Sequence, residues 1–516
     1  MGNNKFWGTS VPSSSERSLQ PAPETSLLSP LFVVAFYAAF LAFALLKVYP
    51  GAVHFDTTEL YMWSTLGFKL GYARHPPLLS WLVGAWTFIL PANWITLTLL
   101  AVTNVTLGAY AVWRISEIMI GPRRAVLAMV LYMISPSTTL HAVKLDHSSV
   151  LVSLWPMTVW AFLLAIREPT WRRGLMLGLA ATLSMYAKYS SALLLFALFL
   201  AALVSDRRAE FFRSTTPYLA VIVVGILFAP HVWWVAQDGW ATVKFASANV
   251  APAGHLPRSM LTGNLVRALP VLAGFTVMWR WIGPSRTGHD FQRDLLVILV
   301  TTYVLTIGIT AVLGLRGSGN WSMPVFAFLP TALCGLLCNP TDRQISTARR
   351  FALGFMAILP LGGIAMLASS FKQGSESAVE PDFEVAKESA AVFSKAFGAP
   401  VRIVGGSVRY STSATLDLPG HPRAWVHFND YWWITPEMIA ENGALGFCAV
   451  DDDRCRQRAQ QIVSDRKGWT CEIERRRTLW GMQGKKTKVY LYFIPPQQLM
   501  ASLPPAESRC PPPLLP

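Results

Sequence analysis

The residues with the greatest capacity for chemistry fall in a few short stretches beside apolar runs. Residues 51–81, GAVHFDTTELYMWSTLGFKLGYARHPPLLSW, set Asp56, Glu59, Arg74 and His75 among aromatics directly behind the first long apolar run. A carboxylate there can take a proton from a hydroxyl, and the cations can hold an anion. Ionisable groups beside a hydrocarbon span rarely lie there without a purpose. HAVKLDHSS adds Lys144, Asp146 and His147, MYAKYS adds Lys188, APHVWW adds His231, and GLRGSGNWSMP adds Arg316. Several cations and few carboxylates, drawn from separate loops, suit an anionic substrate such as a phosphate-linked lipid.

Each of these residues has a plainer reading. Asp146 could cap the helix that follows it. His75 could simply fix a rigid turn before Pro76-Pro77. Lys188 and Arg316 could be interface anchors whose stems lie along the membrane. His231, next to Pro230, could be a helix-end hydrogen-bonder. Glu59, one turn after Asp56, could hold Lys69 or Arg74. A divalent ion is compatible with Asp56, Asp146 and His231 converging, but no spacing demands one. Cys334 and Cys338 lie four apart in an apolar span and read as packing residues.

The elements that must position these residues are membrane spans. The chain has 516 residues, 53% of them hydrophobic and 14% charged, with apolar runs of a length that crosses a bilayer. Its net charge of +15 is spread over short Arg and Lys clusters between the runs. That is the pattern of cytoplasmic loops and does not suit nucleic-acid binding. With those clusters inside, about 11 transmembrane helices are expected, near 28–49, 92–113, 125–140, 148–166, 174–187, 190–204, 216–234, 263–282, 294–314, 321–339 and 351–370. A short interfacial helix is expected over Leu78–Leu90. The Ser- and Pro-rich residues 1–27 read as a disordered cytoplasmic tail, 28–371 as the transmembrane unit with its first outer loop at 50–91, and 372–516 as a small extracytoplasmic α/β domain.

In that last part, Val401–Val404, Ala424–Phe428, Leu445–Val450 and Lys488–Ile494 read as strands, and Glu384–Phe397 and Arg454–Ser464 as helices. Four of the six cysteines (Cys448, Cys455, Cys471 and Cys510) fall here, which suits an oxidising compartment. An odd number of spans, with the N-terminus cytoplasmic, gives the same side for this domain.

With Asp56-Thr-Thr-Glu59, Gly71-Tyr72 and His75-Pro76-Pro77 in place, residues 54–81 resemble the first-loop signature of the polyprenyl-phosphate-sugar-dependent glycosyltransferases. These are GT-C superfamily enzymes that include protein O-mannosyltransferases and the aminoarabinose transferase of lipid A. HAVKLDHSSVLVSLWPMTVWAF, MYAKYS and APHVWW resemble later landmarks, so the likeness covers about residues 28–340. It departs at Thr57, where the family commonly has a second acid.

The resemblance implies a polytopic α-helical GT-C fold in the bacterial inner membrane. It implies an inverting transfer of sugar from a polyprenyl-phosphate donor to an envelope glycolipid such as lipid A or, next, to a protein hydroxyl. Asp56 would be the catalytic carboxylate, with Glu59 and Asp146 beside it, and Arg74, His75, Lys144, Lys188, His231 and Arg316 would serve the phosphate or substrate. A polyprenyl phosphate leaves as a stable anion, so one carboxylate acting as base on the acceptor is enough. The rival classes are a transporter or lipid flippase, disfavoured because the charges lie at one face, and a non-catalytic envelope scaffold.

Overall fold

The computed structural model describes residues 30–48, 53–72, 75–139, 142, 144–242, 244, 258–285, 293–313, 319–373, 383–429, 431–479 and 482–500. The first part is helical: α1 (Pro30–Val48), α2 (Phe55–Thr65), α3 (Leu78–Ile89), α4 (Trp94–Ile120), α5 (Pro122–Met133), α6 (Leu151–Arg167), α7 (Trp171–Ala187), α8 (Ser191–Val204), α9 (Arg208–Arg213) and α10 (Thr216–Gln237). After residues 245–257 come α11 (Arg258–Ile282), α12 (Arg293–Val312), α13 (Leu329–Cys334) and α14 (Asp342–Gln373).

Among the described residues, five helices are long and apolar enough to cross a membrane: Pro30–Lys47, Trp94–Ile120, Thr216–Gln237, Met260–Ile282 and Arg293–Val312. Their outward faces carry exposed Val221, Ile226, Val277 and Val304, which water would penalise and lipid would not. The chain is a membrane protein.

Local chemistry explains several boundaries. Asn93 Oδ1 accepts the N–H groups of Ile95 and Thr96 at 3.0 and 3.1 Å, and Thr96 answers with its hydroxyl, so α4 begins on a capping box. That helix runs to Ile120, past the expected end near residue 113, and Arg114 pairs with Glu117 at 2.5 Å along its surface. The run expected as one span over 321–339 is broken instead into a short 3-10 turn, Met323–Ala327, and α13. Pro324 and Pro330 each lack the N–H that a continuous helix would need.

The C-terminal part holds α15 (Phe383–Phe397), β1 (Ile403–Gly406), α16 (Val408–Asp417), β2 (Arg423–Val426), α17 (Pro436–Asn442), β3 (Ala444–Ala449), α18 (Asp453–Asp465), β4 (Trp469–Leu479) and β5 (Met482–Ile494). These strands form one sheet in the order β2-β1-β3-β5-β4. β1 pairs parallel with β2 and β3, and the β4–β5 hairpin adds on antiparallel. β4 was not expected from the sequence. It is an edge strand whose Glu472 and Glu474 pair across with Lys488 and Lys486 at 2.5 and 2.7 Å, so charge masks its alternation. Cys448 is bonded to Cys455, tying β3 to the start of α18, and Cys471 is also in a disulfide. Cys334 and Cys338 are free thiols.

Candidate active site

Asp56 lies in the first turn of α2, not in irregular loop. His54 is the N-cap: its Nδ1 accepts the Asp56 N–H at 3.2 Å. That bond needs a lone pair on Nδ1, so the ring is neutral, and the 3.6 Å approach of Nδ1 to the Asp56 carboxylate is not an ion pair. Burial pushes His54 down to about 4, with Asp56 opposing and Lys144 and Arg409 assisting.

The remaining helix faces inward. Thr57 is 1% exposed, and its hydroxyl donates to the Leu145 carbonyl at 3.0 Å while lying 3.2 Å from the Leu145 N–H. The residue that departs from the family pattern is therefore a clasp between the first and second polar loops. Glu59, one turn on from Asp56, is buried on the same wall.

Across from α2, the loop after α5 supplies Lys144. Its ammonium sits 2.6 Å from Asp56 Oδ2 and 3.4 Å from Asp146 Oδ2. Burial alone would lower its proton affinity, but Asp146 and Asp56 outweigh that and hold it raised. Asp146 Oδ1 accepts the N–H groups of Ser148 and Ser149 at 2.8 and 2.7 Å, capping the turn into α6 while its other oxygen faces Lys144. Burial opposes ionisation of Asp146, yet Lys144, these two N–H groups and Lys188 keep it below the usual carboxylate range.

Lys188 caps the end of α7 and donates to Ser148 Oγ at 2.7 Å, with its ammonium 5.3 Å from the centre of the Trp321 ring. Burial lowers its pKa to about 8, against the pull of Asp146. The result is a chain of neighbours of alternating sign: Asp56, Lys144, Asp146, Lys188.

These four, with Glu59, Trp63, His75, His147, Ser148, Asn320 and Trp321, line one cavity of about 190 Å³. His75 packs on His147 with ring centres 4.1 Å apart. His147 Nδ1 bonds the Ala187 carbonyl at 3.0 Å, its Nε2 has no partner among the described residues, and burial holds it near 4. Asp56, Glu59, His75, Lys144, Asp146 and Lys188 are thus brought together as the sequence suggested.

His231 is not among the lining residues. Its Nδ1 meets the Leu70 carbonyl at 2.6 Å and its Nε2 meets the Tyr189 hydroxyl at 2.8 Å, so one nitrogen holds the first loop against α10 and the other holds the turn between α7 and α8. Gly71 explains the fit beside it: a Cβ there would fall 2.1 Å from the Trp234 ring. Arg74 and Arg316 lie outside the described residues. Among the described residues no group of three His, Cys, Asp or Glu side chains could hold a metal ion. Between Asp56 and Asp146 stands the Lys144 ammonium.

Sequence reasoning missed three contributors. Arg267, buried in α11, donates to the Gly319 carbonyl at 2.8 Å and to Asn320 Oδ1 at 2.7 Å, which sets the wall that carries Trp321. An arginine within an apolar helix was a readable signal. Thr412 of α16 meets Thr58 of α2 hydroxyl to hydroxyl at 2.8 Å, and Arg409 precedes it by three residues. Around that contact, Tyr61 packs edge-on to His421 at 5.6 Å and Lys69 lies 4.7 Å over Trp432. Nothing in the residue pattern of α16 announces that partner.

The fold is one already seen in solved structures. The structure of ArnT from Cupriavidus metallidurans in the apo state superposes with a TM-score of 0.59, covering 89% of this chain and 97% of that one at 12% identity. The same protein bound to undecaprenyl phosphate gives 0.57, covering 90% and 97%, also at 12% identity. The chain has a GT-C-like fold. Residues 74–234 also match the family model for dolichyl-phosphate-mannose-protein mannosyltransferase. That GT-C segment includes His75, Lys144, Asp146, Lys188 and His231, whereas Asp56 and Glu59 precede it. A curated relative, the lipid A galacturonosyltransferase RgtD of Rhizobium johnstonii, is 23% identical over 284 residues, 52% of this chain. The match spans 58% of the length of that relative.

Proposed function

We propose that the protein is an inverting glycosyltransferase that moves a sugar from a polyprenyl-phosphate donor to a lipid A-type envelope glycolipid on the outer side of the inner membrane. The observation that carries this reading is the placing of Asp56 at one end of a row of alternating charges, with Lys188 at the other. In an inverting displacement the acceptor oxygen and the leaving phosphate sit on opposite faces of the anomeric carbon. A carboxylate and a cation separated across one cavity suit those two tasks.

Asp56 takes the proton of the acceptor hydroxyl as its oxygen bonds to the anomeric carbon. The bond from that carbon to the phosphate oxygen breaks, and polyprenyl phosphate leaves with the electron pair. Lys188 meets the developing phosphate charge, and Arg74 and Arg316 are further candidates for it. Lys144 holds Asp56 and Asp146 apart as ions until substrate enters. Glu59 and His75 shape the wall, and His231 acts as a positioning residue behind it.

The names of the relatives support the substrate classes: one ArnT structure contains undecaprenyl phosphate, and RgtD is named for lipid A. The bond between Cys448 and Cys455 supports an oxidising, extracytoplasmic setting for the C-terminal domain. Reconstitution of the protein with radiolabelled polyprenyl-phosphate sugars and lipid A tests the reading. Transfer of label that Asp56→Asn abolishes is the expected result; full activity in that variant defeats the mechanism, and solute uptake without transfer would favour a transporter.

A further inference from the structure

One polar atom of the cavity wall takes no part in the row of charges. His147 lies between Asp146, which faces Lys144, and Ser148, which takes the bond from Lys188. It is 7% exposed, and it lines the cavity beside His75 and Trp63, whose ring centres are 4.1 and 6.3 Å from its own. Its Nδ1 stands 3.0 Å from the Ala187 carbonyl, and a carbonyl can only accept, so the ring proton is on Nδ1. Burial, with Lys188 assisting, keeps the ring neutral, and Nε2 is left as a bare lone pair. That atom is shut off from solvent, and no described group donates to it. Buried polar atoms are nearly always met, and one that is not is costly to the fold. A ligand that brings a hydrogen to Nε2 removes that cost.

The chemistry of a lone pair selects its partner. A phosphate linked to both sugar and lipid carries no hydrogen, and neither does the prenyl chain in any form that bonds strongly, so both are excluded. The acceptor hydroxyl gives its hydrogen to Asp56. The sugar remains, and in an inverting displacement it lies between the base and the leaving group. His147 stands along the middle of the row from Asp56 to Lys188, where that sugar would be held. We propose that His147 is a specificity-determining residue for the donor sugar, its Nε2 accepting a hydrogen bond from one ring hydroxyl. This rests on the glycosyltransferase reading above. The hydroxyl reaches Nε2 as the His75 ring turns aside. Aromatic walls with a few placed polar groups are the ordinary means of fixing a small ligand's orientation, and Trp63 and His75 supply the walls.

The test uses the full-length protein in lipid vesicles with lipid A and radiolabelled polyprenyl-phosphate pyranoses, each beside the analogues that lack one ring hydroxyl. For a sugar that wild type transfers, loss of one particular hydroxyl is expected to lower kcat/KM about tenfold, since Nε2 is then left unmet. His147→Asn keeps an N–H for the Ala187 carbonyl, because its amide nitrogen stands near the place of Nδ1, and it removes Nε2. In that variant the intact sugar falls about tenfold and the penalty for the same missing hydroxyl shrinks to within about twofold, while the other deoxy sugars keep their wild-type ratios. A merely structural role, or an Nε2 that holds only water, would lower every donor alike and leave all ratios unchanged, which overturns the proposal. So does a wild-type series in which no hydroxyl matters. If His147→Asn fails to fold in detergent, His147→Phe, which keeps the ring packing, is measured in its place, and a penalty that persists there overturns the proposal. Failure of wild type to transfer any sugar would instead strike the glycosyltransferase reading itself.

Discussion

Lys144 stands 2.6 Å from the Asp56 carboxylate, so the proposed base is already ion-paired before substrate enters. An acceptor hydroxyl must share or displace that ammonium to reach the carboxylate. Asp56→Asn keeps the shape and removes the basicity; its kcat is expected to fall by about 10²–10⁴-fold, with little change in donor binding. Lys144→Met removes the ammonium that stands between Asp56 and Asp146. Loss of activity is expected there too, because Asp56 loses the ion pair that orients it. Rates measured from pH 5 to 8 check it.

Lys188 gives the pH dependence its sign. A lysine is charged below its pKa, and burial brings this one to about 8. Its proposed hold on the donor phosphate is therefore close to complete near pH 7 and weakens as pH rises through 8. The donor KM is expected to be flat below about 7 and then to climb roughly tenfold per pH unit on the alkaline side. Lys188→Arg moves that limb out of range, since guanidinium does not titrate there. His54 and His147, held near 4, are neutral throughout and give no limb near pH 6.

Thr57→Val tests the clasp. Valine keeps the volume but leaves the buried Leu145 carbonyl and N–H without the hydroxyl they share. A loss of about 1–3 kcal/mol is expected, read as a lower Tm in detergent, together with a fall in kcat as Asp56 and Lys144 lose their register. Thr57→Ser, which retains the hydroxyl, should keep most of both.

Arg267→Met removes the donors that fix Asn320 and the strip beside Trp321. The expected result is a higher donor KM and a wall that trypsin cuts more readily. Gly71→Ala, by contrast, drives a methyl into the Trp234 ring and should unseat the first loop, lowering activity without touching any charge.

Much of this site was legible before any coordinates. The membrane class came from apolar run length, and the cavity residues from the rarity of charges next to spans. The GT-C fold followed from the Asp56, Gly71-Tyr72 and His75-Pro76-Pro77 landmarks. What escaped has physical reasons. α2 carries no helix-like apolar stripe because it is buried nearly all round, so its helical form was hidden. Arg267 sits in an apolar run whose average hydropathy conceals one residue. His231 was assigned to substrate by its chemistry, whereas its two hydrogen bonds are long-range facts. The strand β4 was masked by cross-strand ion pairs, and the meeting of Thr58 with Thr412 spans 354 positions that no local pattern can report.

That last separation has a consequence for biogenesis. Chains are made from the N-terminus, and contacts of high sequence separation form late. The helix that bears Asp56 is among the first parts to be made, yet its cover arrives only after β1 and α16 have been made and folded. A partly made chain thus holds its carboxylate without the roof that completes the chamber. Assembly order itself would keep the chamber open until the whole molecule is in place.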